Sequence, residues 1–150
     1  MPRQTRDWTC SACSLAWLNR AMGIDRATDE LQAADLIGIP GNINPTYGLM
    51  DGSGSRLAQL LREDRGAAWT ANVEWDEARA LSIDHALLLG GHRWYHWVGC
   101  RGIDGDLLWI ANSAPGWKGI GDRLSAADFS QLGPWSAVVV PIYWEFPEIE

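Results

Sequence analysis

Helical and strand-like patterns occupy different parts of this chain, and their order is what most limits the fold. From about Cys10 onward, apolar side chains recur at three- and four-residue steps, at Leu15, Leu18 and Met22, and Gly23 follows as a natural helix end. The same criteria predict two more helices, one from Thr28 to Leu36 and one from Ser53 or Ser55 to Arg65. The first part of the chain is therefore predicted to be mainly helical.

The second part consists of short apolar runs that suit β-strands. These runs are Trp69–Val73, Ala86–Leu89, Tyr95–Cys100, Leu107–Ala111 and Ala137–Ile142. The pair Asp104-Gly105 between two of the runs is typical of a tight hairpin turn. The segment 41–54 is rich in Gly, Asn, Pro and Ser and is predicted to be a loop. Because the helices come first and the strands later, the sequence predicts an α+β domain rather than alternating parallel units.

Length and charge narrow the domain count and the classes of partner. The 150 residues suffice for one domain with a real core, so residues 1–150 are assigned to a single domain. A formal net charge of −7 disfavours nucleic acid, whose binding requires clustered Lys and Arg.

No apolar run is long enough to span a membrane. Arg3 and Arg6 precede a short apolar run, but Asp7 and the polar residues after it argue against a signal peptide. We therefore expect a cytoplasmic location, or release to the cell wall.

Cys10 is the candidate nucleophile because it lies where the first helix begins. Unpaired backbone N–H groups and a partial positive charge at a helix N-terminus lower the pKa of a thiol. Gln4, six positions earlier, could supply a side-chain N–H group to a developing oxyanion. Cys13 falls one helical turn later among small and apolar residues and is predicted to be a packing residue.

Two other functions of Cys10 and Cys13 stay open. A Cys-x-x-Cys pair can be a redox centre, but such a motif normally follows a strand, and only nine residues precede this one. A zinc site would need two further ligands, and the sequence has no second closely spaced ligand pair. The candidates for such ligands are His85, His92, His96 and Cys100. We therefore predict no metal and no cofactor.

His96 is the candidate base. It lies at the start of a predicted strand, where a rigid backbone can hold the imidazole in a fixed orientation. The predicted hairpin brings Asn112, at the exit of the following strand, back toward His96. An amide in that place can orient the imidazole and fix its tautomer.

Ten tryptophans are an unusual number for 150 residues. Trp17, Trp109 and Trp144 are predicted to fill the core or its rim. Four others lie next to the candidate catalytic residues and are predicted to line a substrate groove, because tryptophan offers a large rigid face with one donor. These four are Trp8, Trp94, Trp97 and Trp117.

With these residues in place, the chain resembles the papain-like cysteine peptidases. It is most similar to the double-glycine leader peptidase-like group and to peptidase domains of bacteriophage endolysins. The resemblance covers residues 4–23, 86–115 and, more loosely, 124–141. In that family a glutamine lies six residues before the nucleophilic cysteine, as Gln4 does before Cys10. The family's His-Φ-Val-x-x-x-Gly strand, in which Φ is aromatic or apolar, matches the segment from His96 to Gly102.

The match to this family has two departures. Ser11 replaces the glycine that commonly follows the nucleophile. Asn112 stands where this group usually has aspartate, although papain itself uses asparagine in that role. Both departures leave the implied chemistry in place.

The resemblance implies a papain-like fold, with the nucleophile at the start of the first of several N-terminal helices that pack on a C-terminal antiparallel sheet. It also implies cleavage of a peptide or amide bond by a Cys10, His96 and Asn112 triad, with Gln4 at the oxyanion. The endolysin likeness and the tryptophan content point to peptidoglycan peptides as a substrate. The alternative is a catalytically silent papain-fold binding module or effector of phage or bacterial origin. An unanchored Gln4 near the chain start would favour that alternative.

Overall fold

The structure is a computed structural model and describes residues 1–141. Within these residues five helices form, three before the main sheet and two between its strands. They are α1 (Cys10–Ala21), α2 (Glu30–Ile37), α3 (Ser55–Arg65), α4 (Trp75–Leu81) and α5 (Ala126–Leu132). The three helices predicted in the first part of the chain are confirmed, although Asp29 caps α2 instead of Thr28, by accepting a hydrogen bond from the Gln32 N–H.

Six antiparallel strands form the main sheet in the order β3-β8-β4-β5-β6-β7. Their bounds are β3 (Trp69–Val73), β4 (His85–Gly91), β5 (His96–Asp104), β6 (Leu107–Ala111), β7 (Arg123–Leu124) and β8 (Trp135–Pro141). The predicted hairpin is present, with Asp104 paired to Leu107 across the turn. The predicted loop 41–54 contains a two-stranded ladder of β1 (Ile43–Asn44) and β2 (Gly48–Leu49), whose strands are too short to produce a periodic pattern.

Both faces of the central strands are buried. Along β4, Leu88 joins the core cluster that contains α1, α2 and α3, whereas Leu87 and Leu89 join the cluster that contains α4 and α5. Burying each of these leucines contributes about 2 kcal/mol from apolar surface alone. This two-sided burial explains why β4 is a continuous apolar run rather than an alternating one. The α+β class is confirmed.

Helix α1 lies inside this core rather than on its surface. Eleven of its twelve residues are buried, and it packs mainly against β5 and α2. Trp17 covers the backbone of Gly99 so closely that a Cβ atom there would lie 2.2 Å from the ring. Helix α1 and strand β5 are therefore held in one arrangement, and these two elements begin with Cys10 and His96.

No helix among residues 1–141 is long and apolar enough to cross a membrane. Two positions named from the sequence, Ile142 at the end of the last predicted strand and Trp144 as a core residue, lie outside the described residues.

Candidate active site

Cys10 and His96 line the same cavity of about 460 Å³. Each is the first residue of its element, so each projects from the end of a packed helix or strand. Cys10 is 7% exposed and His96 is 2% exposed. Backbone N–H groups of Ser11 and Trp97 approach the Cys10 thiol, and Trp97 directly follows His96. The sequence-predicted nucleophile and base therefore meet in one place.

Asn112 fixes the tautomer of His96. Its side-chain Oδ1 lies 2.8 Å from Nε2 of the imidazole. The amide cannot be reversed, because Oδ1 also accepts from the Ala114 N–H at 3.0 Å and Nδ2 donates to the Gly121 carbonyl at 2.8 Å. The proton of neutral His96 is consequently on Nε2, and Nδ1 is left as a proton acceptor.

Burial controls the ionisation of both groups. It raises the pKa of the Cys10 thiol, an effect that the backbone N–H groups of Trp97, Ser11 and Cys10 itself only partly offset. It lowers the pKa of His96, a shift that the hydrogen bond from the imidazole Nε2 to Asn112 partly offsets. Both shifts favour the uncharged forms, a thiol and a neutral imidazole. The backbone N–H groups at the start of α1 do lower the pKa of the thiol, as expected from the sequence, but desolvation is the larger effect and the net shift is upward.

Gln4 is anchored although it lies close to the chain start. Its Oε1 accepts from the Ser113 hydroxyl at 2.7 Å, and its backbone N–H donates to the Ser113 carbonyl at 3.1 Å. A side-chain amide nitrogen carries two hydrogens. Gln4 Nε2 donates one of them to the Arg6 carbonyl at 3.0 Å. Gln4 lines a second cavity, of about 560 Å³, which it shares with His96 and Trp117.

Three of the four tryptophans predicted to line a groove do lie at the Cys10 cavity. They are Trp8, Trp97 and Trp117. Trp94 does not, and that prediction is wrong. Its side chain is fully buried, with its ring centroid 4.7 Å from that of His96, edge to face. Trp94 therefore packs against the imidazole in the core and does not line the Cys10 cavity.

Two of the three tryptophans predicted to fill the core or its rim, Trp17 and Trp109, follow that prediction. Trp17 is 3% exposed in α1. Trp109 is half-buried, and its ring packs between the guanidinium groups of Arg101 and Arg123, at 4.2 and 4.4 Å.

Several residues at the site were missed from the sequence. Ser113 is 2% exposed and ties Gln4 to the Asn112 segment, and its place directly after Asn112 was the available signal. Tyr47 and Tyr95, about 80% exposed, stand at the cavity, and Tyr95 has a left-handed backbone with φ +57°. His92 also lines it, with Nε2 2.7 Å from the Ser136 hydroxyl. The spacing of apolar residues gave no signal that Tyr47, Tyr95 or His92 would line the cavity.

The remaining cysteines are poor nucleophiles. All three cysteines are free thiols, and Cys13 has no exposed surface. Burial and the nearby Glu30 carboxylate raise the pKa of Cys13 to about 12, and burial raises that of Cys100 to about 11. Within residues 1–141 no three His, Cys, Asp or Glu side chains are grouped as metal ligands.

Solved structures with the same fold are cysteine peptidases. One is a double-glycine motif protease from an AMS/PCAT transporter, in complex with the leader peptide, with a TM-score of 0.65 and 15% identity over 93% of this chain and 89% of that one. Another is a C39-like peptidase from Bacillus anthracis, with a TM-score of 0.64 and 17% identity over 93% of each chain. No family model and no curated protein matches the sequence.

The papain-like fold predicted from the sequence is thereby confirmed. Neither of the two structures is an endolysin, so the resemblance to endolysin domains stays a prediction.

Proposed function

We propose that this protein is a cysteine peptidase in which Cys10 is the nucleophile, His96 the base and Asn112 the residue that orients it. The observation that carries the proposal is that Cys10 and His96 line one cavity, together with the Asn112 contact that leaves Nδ1 as the acceptor. A nucleophile, a base and an orienting group are the minimum for acyl transfer without a cofactor.

The mechanism starts from the neutral pair. As the Cys10 sulfur attacks the carbonyl carbon, its proton passes to Nδ1 of His96, so that charge separates only when substrate is present. The second hydrogen of Gln4 Nε2 and the Cys10 backbone N–H stabilise the oxyanion. The imidazolium then protonates the leaving amine. A water molecule that His96 deprotonates attacks the thioester carbonyl, the C–S bond breaks, and the carboxylic acid product leaves while the proton returns to the Cys10 sulfur.

We infer that the substrate is a peptide, and two classes are to be compared. One neighbour of the same fold was solved with a leader peptide, which favours an extended peptide segment. Peptidoglycan peptides are the class that the sequence resemblance suggests. Incubation with a synthetic leader peptide ending in two glycines, and separately with purified cell walls, followed by mass spectrometry, distinguishes the two.

Iodoacetamide should label Cys10 ahead of the other cysteines, at a rate that climbs with pH. Because burial raises the pKa of the Cys10 thiol and lowers that of His96, the thiolate fraction should grow about tenfold per pH unit below the thiol pKa. Peptide mapping at pH 6, 7 and 8 measures each cysteine separately. Labelling of Cys10 should also abolish peptide hydrolysis.

Two outcomes of the labelling would contradict parts of the proposal. A fast rate that is already constant at pH 5 would show a thiolate–imidazolium pair, which keeps Cys10 as the nucleophile and overturns only the neutral starting state. Equal, slow labelling of Cys10, Cys13 and Cys100 would remove the nucleophile and favour the catalytically silent binding module.

Replacing Asn112 by alanine should lower kcat about 10²-fold, because His96 loses the contact that orients it. Asn112→Asp keeps an oxygen at Oδ1 and adds a negative charge beside the imidazole. That variant should retain most of the activity and raise the pKa of His96, which histidine NMR titration measures. Equal activity of Asn112→Ala and the unaltered protein would remove Asn112 from the proposed triad.

A further inference from the structure

A buried carboxylate holds the segment that leads into the candidate nucleophile. Glu30, the first residue of α2, is 8% exposed. One of its oxygens lies 2.6 Å from the Thr5 N–H and 2.6 Å from the Thr9 hydroxyl, and the other lies 2.5 Å from the Thr5 hydroxyl. Thr5 directly follows Gln4 and Thr9 directly precedes Cys10. One side chain therefore spans the interval between the oxyanion residue and the nucleophile.

The bonds to Glu30 are strong enough to keep it ionised. Burial raises the pKa of this carboxyl, but hydrogen bonds from Thr5 and Thr9 and the nearby Arg6 more than reverse that effect, so the pKa is lowered overall. The Thr9 hydroxyl also lies 2.8 Å from the Arg6 carbonyl, but its single proton favours the charged acceptor. Thr9, the residue before α1, makes no side-chain hydrogen bond to the first turn of the helix. Its hydroxyl donates to Glu30.

Much of the segment that Glu30 holds lies at the surface. Between Gln4 and Thr9, the side chains of Thr5, Arg6 and Asp7 are exposed. Yet residues 4–7 form one wall of the cavity that adjoins His96. An ionised carboxylate is a costly way to secure an exposed segment, since its desolvation must be offset by several well-placed donors. That cost is consistent with a requirement for accurate geometry.

We propose that Glu30 is a positioning residue, which acts through Thr5 and Thr9 to hold the Gln4 amide at the oxyanion. The inference rests on the proposed peptidase function and adds to it a residue outside the triad. Ser113 fixes the Gln4 side chain from one side, and Glu30 fixes the backbone that carries it from the other.

Glu30→Gln tests this role, because the substitution keeps the shape and removes the charge. Loss of one oxyanion donor costs about 10² to 10³ in kcat, and we expect a tenfold to hundredfold fall in kcat with KM nearly unchanged. Alkylation of Cys10 by iodoacetamide forms no oxyanion, so its rate should stay within twofold. A purely structural role for Glu30 would slow both reactions together.

A double-mutant cycle with Gln4 sharpens the test. If Glu30 acts through Gln4, then Glu30→Gln should cost no further activity in a Gln4→Ala background. If the fold-losses in kcat of the two single substitutions multiply in the double variant, the proposal is overturned. Glu63→Gln is the matched control, because Glu63 is half-exposed and pairs only with Arg26, at 3.5 Å, within the described residues.

Two further results distinguish a failure of the positioning role of Glu30 from a failure of the proposed peptidase function. If Glu30→Gln does not fold, Thr5→Val removes one donor and leaves the carboxylate in place, and kcat should fall severalfold with unchanged alkylation. Unchanged kcat in that variant and in Glu30→Gln overturns the positioning role. Peptidase activity that is absent from the unaltered protein overturns the proposed function and this inference with it.

Discussion

Cys10→Ala is expected to abolish peptide hydrolysis, with a fall in kcat on the order of 10⁴-fold or more. Neither of the other two cysteines is suited to replace the sulfur, because Cys13 has no exposed surface and a pKa of about 12, and burial raises the pKa of Cys100 to about 11. His96 would remain oriented by Asn112 but would have no nucleophile to deprotonate. Mass spectrometry of cleavage products against time measures the effect.

The matched control for that experiment is Cys13→Ala, the same substitution one helical turn later in α1. Both residues are buried, so both variants lose a comparable volume of sulfur from the core. At temperatures below its melting temperature, Cys13→Ala should hydrolyse peptide at a rate within severalfold of that of the unaltered protein. Unchanged hydrolysis in Cys10→Ala, with both variants folded by circular dichroism, would contradict the assignment of the nucleophile.

The helices and the β5–β6 hairpin could be predicted because residues close together in the sequence determine them. The first helix has apolar residues at helical spacing and a glycine after its end, and α5 begins with the capping pattern of Ser125 and Asp128 that the sequence displays. The hairpin between β5 and β6 depends on Asp104 and Gly105 alone. Cys10 and His96 begin their elements and Asn112 directly follows β6, so these elements and the family resemblance were enough to predict one site formed by the three residues.

Features that depend on packing were not predictable in this way. The hydrogen bond between Ser113 and Gln4 joins residues 109 positions apart, and no local pattern encodes it. Trp94 was assigned to a groove by its nearness to His96 in sequence, but with the turn at Tyr95 the two buried rings contact each other edge to face. The pKa of Cys10 depends on burial by neighbours from both halves of the chain. Desolvation of that kind is a property of the assembled core.

The contact between Trp17 and Gly99 gives the largest expected effect on stability. In Gly99→Ala the added Cβ atom would lie 2.2 Å from two atoms of the Trp17 ring. The ring is 3% exposed and has no room to withdraw without displacing the core. Overpacking of this kind costs about 3 kcal/mol of unfolding free energy, or roughly 10 °C in melting temperature for a chain of this length. Thermal unfolding followed by circular dichroism measures it.

The same substitution should also lower activity in the molecules that remain folded. Trp17 lies in the helix that begins with Cys10, and Gly99 lies three residues after His96 in β5, so relief of the clash must move α1 away from β5. A shift of about 1 Å at a catalytic group can cost 10²-fold in rate. Gly121→Ala is the control, because a Cβ atom at Gly121 would meet nothing within 4 Å. If Gly99→Ala melted and hydrolysed peptide like that control, then the packing of Trp17 on β5 would not be what sets the distance between nucleophile and base.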